Sequence, residues 1–408
     1  MKANLRKLVA GTAYDFVIID FNDLYRIFVA KNPEKTFVRI LLEQVDLTVV
    51  SPYVTSGPVP ENMFFGRDHE LKTISRTIKD NSFAIVGGRK IGKTSILSKL
   101  QRAFTDNPDY HSLFLDCQAV QNYDDFCNAV ETMWQVTLSN HAPEDVQRLI
   151  ARMRQEREGQ LVVILLDEVD ALLKYDAGNG ERLFKVFRAL SQEAYCRFIF
   201  CGGKALHVRL HDPDAALFNF CNIIPLSYLT ARDTGRIVLE PMQEMGIGFE
   251  DATRLVEGIM SLSSCHPNVV QYICQELIVR INTRGDRFIT QADLDAIANS
   301  SRLGEYMIEV MWGNTNALER LITLLIILER PSATLAQIEA VLHARGVDAP
   351  TAAVEEALDT LVLYSVLNKE DGGYSFTAAE FPSVVAATQD VDLLVERAIQ
   401  YLSRENFR

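Results

Sequence analysis

The sequence predicts an α/β protein: a three-layer domain around a parallel sheet, then a helical lid and a C-terminal winged-helix unit. Three observations carry this. Between residues 83 and 226, five short apolar runs alternate with helical patterns, as in strands joined by crossover helices. The first run ends in a glycine-rich loop and the third in an acidic pair. Beyond residue 314, three helical patterns lead to a hairpin with a Gly-Gly turn. The chain thus divides into an N-terminal extension and linker (1–60), a phosphate-loop domain (61–228), a lid (229–305) and the winged-helix unit (314–408).

In chain order, Tyr14–Asp20 reads as a strand, followed by helices over Asn22–Ala30 and Pro33–Gln44. These cannot bury a core of their own, so they pack on the next domain or end a domain lying upstream. Residues 51–60, rich in Pro, Gly and Ser, read as a linker. The turn Phe65-Gly66-Arg67 then enters a helix over Glu70–Lys79; it either caps a bound base or only buries Phe64 and Phe65.

Phe83–Val86 is an apolar run too short for a helix, hence a buried strand. Gly87-Gly88-Arg89-Lys90-Ile91-Gly92-Lys93-Thr94 follows, and Ser95 continues into an amphipathic helix. This is G-x-x-x-x-G-K-[ST]. Its glycines let backbone N–H groups wrap phosphate oxygens, and the helix dipole points at the same anion. Lys93 would reach the β- and γ-phosphates, and the Thr94 hydroxyl would ligate Mg²⁺. The loop predicts a nucleotide site.

Ser112–Cys117 is the second strand, and helices follow over about 124–139 and 143–158. Leu161–Leu166 is a strand buried on both faces, ending in Asp167-Glu168 where open α/β sheets place ligands. Asp167 would hold Mg²⁺ and Glu168 would act as general base on the attacking water. Asp170 reads as a helix cap. A helix over Gly180–Ala194 leads to strands at 197–203 and 220–226. The lid is read as helices over Thr230–Glu244, Phe249–Leu262, His266–Asn282 and Gln291–Asn299. In the last unit, Leu318–Leu328, Leu335–Ala344 and Ala352–Leu367 are helices, and 368–376 is the hairpin. Winged helices often bind DNA. Here 314–408 holds seven basic and fourteen acidic residues, and its would-be recognition helix starts without Arg or Lys, which favours protein docking.

The net charge of −13 argues against non-specific nucleic-acid binding through bulk charge. No apolar run reaches bilayer length, and the N-terminus lacks the apolar core of a signal peptide. Seven cysteines with no C-x-x-C pair disfavour a disulfide framework or a zinc site. The expectation is a cytoplasmic protein with no membrane partner.

From Asn62 to about Ser300 the chain resembles the STAND-type ATPases of the AAA+ group, including the archaeal-type ATPases. Their aromatic-Gly-Arg box is matched by Phe65-Gly66-Arg67 and their GGRRIGKTSLL-like loop by Gly87–Leu97. Their G-H-P lid signature is matched by Cys265-His266-Pro267, with Cys265 where glycine is usual. The resemblance implies ATP or ADP with Mg²⁺, nucleotide contacts from the box and from His266 and Pro267, and a winged helix after the lid. It also implies a switch: ADP holds lid and winged helix on the nucleotide domain, whereas ATP opens them and permits self-association. A neighbouring subunit's arginine often completes such a site, and Arg188, Arg197 and Arg209 are candidates. Related ATPases carry a polar γ-phosphate sensor where this chain has Cys201, Gly202, Gly203 and Lys204, which implies slow hydrolysis. The leading expectation is a signalling or assembly ATPase with a protein partner through the winged helix or N-terminal segment. The alternatives are a DNA-associated AAA+ ATPase of the origin-recognition or transposition-helper kind and a non-hydrolysing nucleotide-binding scaffold.

Overall fold

The computed structural model describes residues 17–157, 159–329 and 332–404. Five strands form one sheet: β1 (Ser82–Gly87), β2 (Tyr110–Asp116), β3 (Leu161–Asp167), β4 (Cys196–Gly202) and β5 (Cys221–Leu226). Their order is β2-β3-β4-β1-β5, and every neighbouring pair is parallel. The inner strands are continuous apolar runs because helices cover both faces. Phe83, Ile85, Val163, Leu165 and Ile199 enter one core with Ile74, Ile96 and Leu100. Ala84, Val86, Ile164, Leu166, Phe198 and Phe200 enter the other with Phe126, Phe184 and Phe187. This is the period-2 alternation of a strand read on both sides. Pro225 sits in β5, an edge strand, where its missing N–H costs no ladder bond on the open side.

Before the sheet lie α1 (Phe21–Val29), α2 (Pro33–Leu42) and α3 (Leu47–Val50). Around it lie α4 (Asp68–Thr77), α5 (Lys93–Thr105), α6 (Tyr123–Trp134), α7 (Pro143–Glu156), α8 (Asp170–Gly178), α9 (Arg182–Gln192) and α10 (Lys204–His211). The lid comprises α11 (Ala231–Glu244), α12 (Ala252–Ser263), α13 (Pro267–Arg284) and α14 (Gln291–Ala298), with the short strands β6 (Gly248–Phe249) and β7 (Phe288–Ile289). Thr230 and Asp251 cap α11 and α12 through their side chains, and Gly285 at φ +70 ends α13.

Helix α15 (Ser301–Trp312), capped by Ser300, runs across the boundary expected between 305 and 314. Next come α16 (Ala317–Glu329), β8 (Ser332–Thr334), α17 (Leu335–Ala344), α18 (Thr351–Leu363), β9 (Leu367–Glu370) and β10 (Gly373–Phe376). The β9–β10 turn centres on Asp371 (φ +49) and Gly372 (φ +78), one residue earlier than the Gly-Gly reading. Positive φ at both central residues suits the right-handed twist of a hairpin. Strand β8 adds to β10, and α19 (Phe381–Thr388) and α20 (Val391–Arg404) close the unit, α20 against α16. One apolar core runs from Leu47 and Tyr53 through the lid to Leu402.

Two expectations for residues 1–60 need correction. No strand forms over the described part of Tyr14–Asp20: residues 17–20 are irregular, and Asp20 instead makes a capping box with Asp23 at the start of α1. Residues 14–16 lie outside the described residues. The expected linker is a strap held along the lid. Tyr53 Oη donates to the carbonyls of Ile237 (2.9 Å) and Val238 (3.2 Å). The Val54 N–H reaches Gln271 Oε1 at 3.0 Å, and Asn268 Nδ2 reaches the Thr55 carbonyl at 3.0 Å. The Pro, Gly and Ser content marks an extended backbone whose polar groups find lid amides, rather than a free tether.

Candidate nucleotide site

β1 delivers the loop Gly87–Gly92 to the start of α5. Side chains are excluded there. A Cβ on Gly87 would meet the Leu226 carbonyl at 2.7 Å, one on Gly88 the Tyr364 carbonyl at 2.7 Å, and Gly92 has φ +102. Lys93 is 6% exposed, and its Nζ donates to the carbonyls of Gly87 (3.0 Å) and Gly88 (2.8 Å). The ammonium is therefore held inside the loop. A cleft of about 440 Å³ opens beside it, lined by Arg89–Ser95, the strap residues 54–57, Phe64, Phe65, Arg67, Leu229 and Pro267. That volume lies within the range of small-molecule sites.

β2 and β3 end in register, Asp116 opposite Asp167. Asp167 is 3% exposed, and burial raises its carboxyl. Hydrogen bonds from the Thr94 hydroxyl and the Glu168 N–H (3.0 Å) pull it back down. Glu168 has φ +50, a left-handed conformation that costs a non-glycine residue about 1–3 kcal/mol. It borders the cleft and a second cavity of about 790 Å³ beyond Lys93. Although exposed to the cleft, its carboxyl is raised by the surrounding protein, with Lys93 opposing. Asp170 caps a helix other than its own. It lies in the first turn of α8 and accepts from the N–H groups of Gly203 (2.7 Å) and Ala205 (2.7 Å) at the start of α10. The parallel ends of β3 and β4 bring the two helix starts together.

Residues 77–210 match the sequence profile of the family described as AAA domain. The chain carries an AAA domain. Its fold is that of the AAA+ P-loop ATPases. The Walker-type ATPase of Pyrococcus abyssi, PABY2304, is similar, with a TM-score of 0.61 at 15% identity, over 82% of this chain and 99% of that one. The Aeropyrum pernix ORC2 protein, solved as ADPNP–ADP complexes, gives 0.56 at 12% identity, over 85% and 97%. No curated protein matches the sequence.

Around the AAA domain, the other expected residues fall into place unevenly. Phe65 and Arg67 line the cleft, and Gly66 (φ +72) packs on Asp233. Arg67 is buried and donates to the carbonyls of Ser227 (2.6 Å) and Ile91 (3.2 Å), so it ties the loop to the lid junction. Pro267 lines the cleft, while His266 lies behind it, 3% exposed, beside the Arg89 backbone and edge-on to Tyr228. Cys265 has φ +66, a left-handed conformation that glycine takes most easily. Arg188 is spent on the carbonyls of Ala216 and Phe218, and Arg197 on Lys79, Ser191 and Cys196 at the amino end of β4, away from the cleft. Of the three candidates, only Arg209 borders the second cavity, paired with Glu181 and Asp212.

Sequence reasoning missed what the C-terminal unit does here. Tyr364 presses its carbonyl on Gly88 and accepts the Lys204 N–H at its hydroxyl, 3.2 Å. Lys204 Nζ pairs with Glu319 (3.0 Å) and Glu356 (3.1 Å), and Lys90 reaches Glu309 of α15 at 3.1 Å. A signal existed in the sequence: Lys204 follows the fourth strand where a phosphate sensor was expected. The strap residues 54–57 and Gln118 were also missed, since their contribution is position alone.

Proposed function

We propose that the chain is an ATP-binding ATPase of the AAA+ group that works as a nucleotide-dependent switch, of the STAND kind, with slow hydrolysis. The observation that carries this is the C-terminal unit seated on the nucleotide site through Tyr364, Glu319 and Glu356. The loop holds the phosphates through its N–H groups, and Lys93 leaves its two carbonyls to bind them. Phe65, Pro267 and the strap hold the base. Mg²⁺, when bound, neutralises phosphate charge. Thr94 and Asp167 would hold it, and their hydrogen-bonded hydroxyl and carboxylate are the hard oxygen donors this ion takes. Glu168, set by its strained backbone at the junction of the two cavities, accepts the proton of the attacking water. That the Aeropyrum ORC2 protein was captured with ADPNP and ADP supports the choice of nucleotide. We read 314–408 as a winged helix used for protein docking. Its acidic balance speaks against the DNA-associated alternative, and the intact acidic pair speaks against the non-hydrolysing scaffold.

Titration with a fluorescent ATP analogue tests the site. Wild type binds, and Lys93→Ala weakens binding at least about 100-fold, a loss of roughly 3 kcal/mol. Equal affinity in the two proteins would refute the reading.

A further inference from the structure

A cavity of about 660 Å³ lies away from the nucleotide cleft, between α15, α16 and α20. Its walls are apolar and aromatic: Ile308, Trp312, Leu324, Leu394 and Tyr401. Among the described residues its charged groups are Arg320 of α16 and Arg397 of α20, and no Asp or Glu lines it. That is unusual for a unit with fourteen acidic and seven basic residues. Arg397 makes no ion pair or hydrogen bond among the described residues. Arg320 donates Nε to Thr315 Oγ1 (3.2 Å) and Nη2 to the Trp312 carbonyl (3.2 Å), with no carboxylate partner among the described residues. Two guanidiniums without counter-charge over an apolar hollow favour an anion with an apolar body.

Asn316 borders this cavity and the second cavity at the nucleotide site. Its N–H and Nδ2 donate to Glu319 at 2.8 and 2.9 Å, and Glu319 holds Lys204. A molecule in the cavity therefore sits one residue from the ion pair that seats the C-terminal unit.

We propose that this cavity is an effector site for a small amphipathic anion, an apolar or aromatic body bearing one carboxylate or phosphate, felt at the nucleotide site through Asn316 and Glu319. The effector role rests on the nucleotide reading above, whereas binding does not. Trp134→Phe leaves Trp312 as the only tryptophan. In that full-length background, energy transfer from Trp312 to 1-anilinonaphthalene-8-sulfonate reports occupancy. The signal saturates at one site, and either 2-naphthoate or 2-naphthyl phosphate displaces the dye; which competes better identifies the anionic group. The neutral 2-naphthalenemethanol does not compete. Arg320→Gln with Arg397→Gln weakens binding about tenfold or more, and the Lys pair at these positions recovers part of it. Non-saturating transfer, equal competition by the alcohol, or an unchanged affinity in the Gln pair would overturn the site. The same titration in Lys93→Ala separates its failure from that of the nucleotide reading. If the site binds, 2-naphthoate or 2-naphthyl phosphate changes ATP turnover at least twofold in wild type and not in the Gln pair. Unchanged turnover would overturn the effector role.

Discussion

His266 shows how a single residue couples the lid to the phosphate loop. Its ring is buried against Tyr228 and the Arg89 backbone, and that burial depresses its pKa to about 3, helped by Arg67 and Lys90. The folded state therefore keeps it neutral while the unfolded chain protonates near 6.5. Its contribution to stability is complete above pH 6.5 and is lost as pH falls towards 3, at up to about 1.4 kcal/mol per pH unit. Denaturant melts of wild type and His266→Gln between pH 7 and 5 test this. The wild type loses stability on acidification and the variant loses less; parallel slopes would place the titration elsewhere. The loop and the acidic pair were legible because their chemistry is local: a run of glycines with Lys93 and Thr94, and carboxylates ending an apolar run. The burial of His266 behind Pro267 was not, because it depends on Tyr228 and Arg89, distant in sequence.

At the scale of elements, two contacts made across the chain decide the shape of the site. Tyr53 fixes the strap that walls the cleft, and Tyr53→Phe removes the donor to the Ile237 carbonyl, which has Pro241 instead of a helix N–H four residues on. The expected loss is about 1–2 kcal/mol with an unchanged denaturant slope, together with weaker nucleotide binding. Unaltered nucleotide affinity would show that the strap does not shape the cleft. Lys204 is about a third exposed, while Glu319 is 1% exposed. Removing the lysine strands a buried carboxylate that keeps only its Asn316 donors. Lys204→Met should cost about 2 kcal/mol, below the 3–5 of a fully buried pair because water reaches the lysine. Limited proteolysis should then cleave the C-terminal unit faster; an unchanged rate would show that the pair does not seat it. Strands, lid helices and hairpin were readable from apolar period, caps and turn residues. Residues 51–60 were misread because composition reports backbone conformation and says nothing of what the backbone is bonded to. α10, α15, α19, α20 and β8 were not read; β8 is three residues long, and its pairing with β10 is tertiary.

At the scale of the molecule, a core continuous from Leu47 to Leu402 joins strap, lid and C-terminal unit, while the AAA domain keeps its own two cores. The two bodies meet at the phosphate loop and at Lys204, so a ligand in the cleft bears directly on their contact. The parallel sheet and its crossover helices were legible at this scale; the strand order, set by pairings between strands distant in sequence, was not. The seating of the C-terminal unit was not, because single contacts such as Tyr364 on Gly88 leave no periodic trace. The most direct test is ATP turnover by wild type and Glu168→Gln, with molecular mass followed by light scattering under ADP and under ATP. Expected are slow turnover that the variant loses while still binding ATP, one mass under ADP, and a larger assembly trapped by ATP. No turnover in either protein, with one unchanging mass under both nucleotides, would contradict the proposed switch.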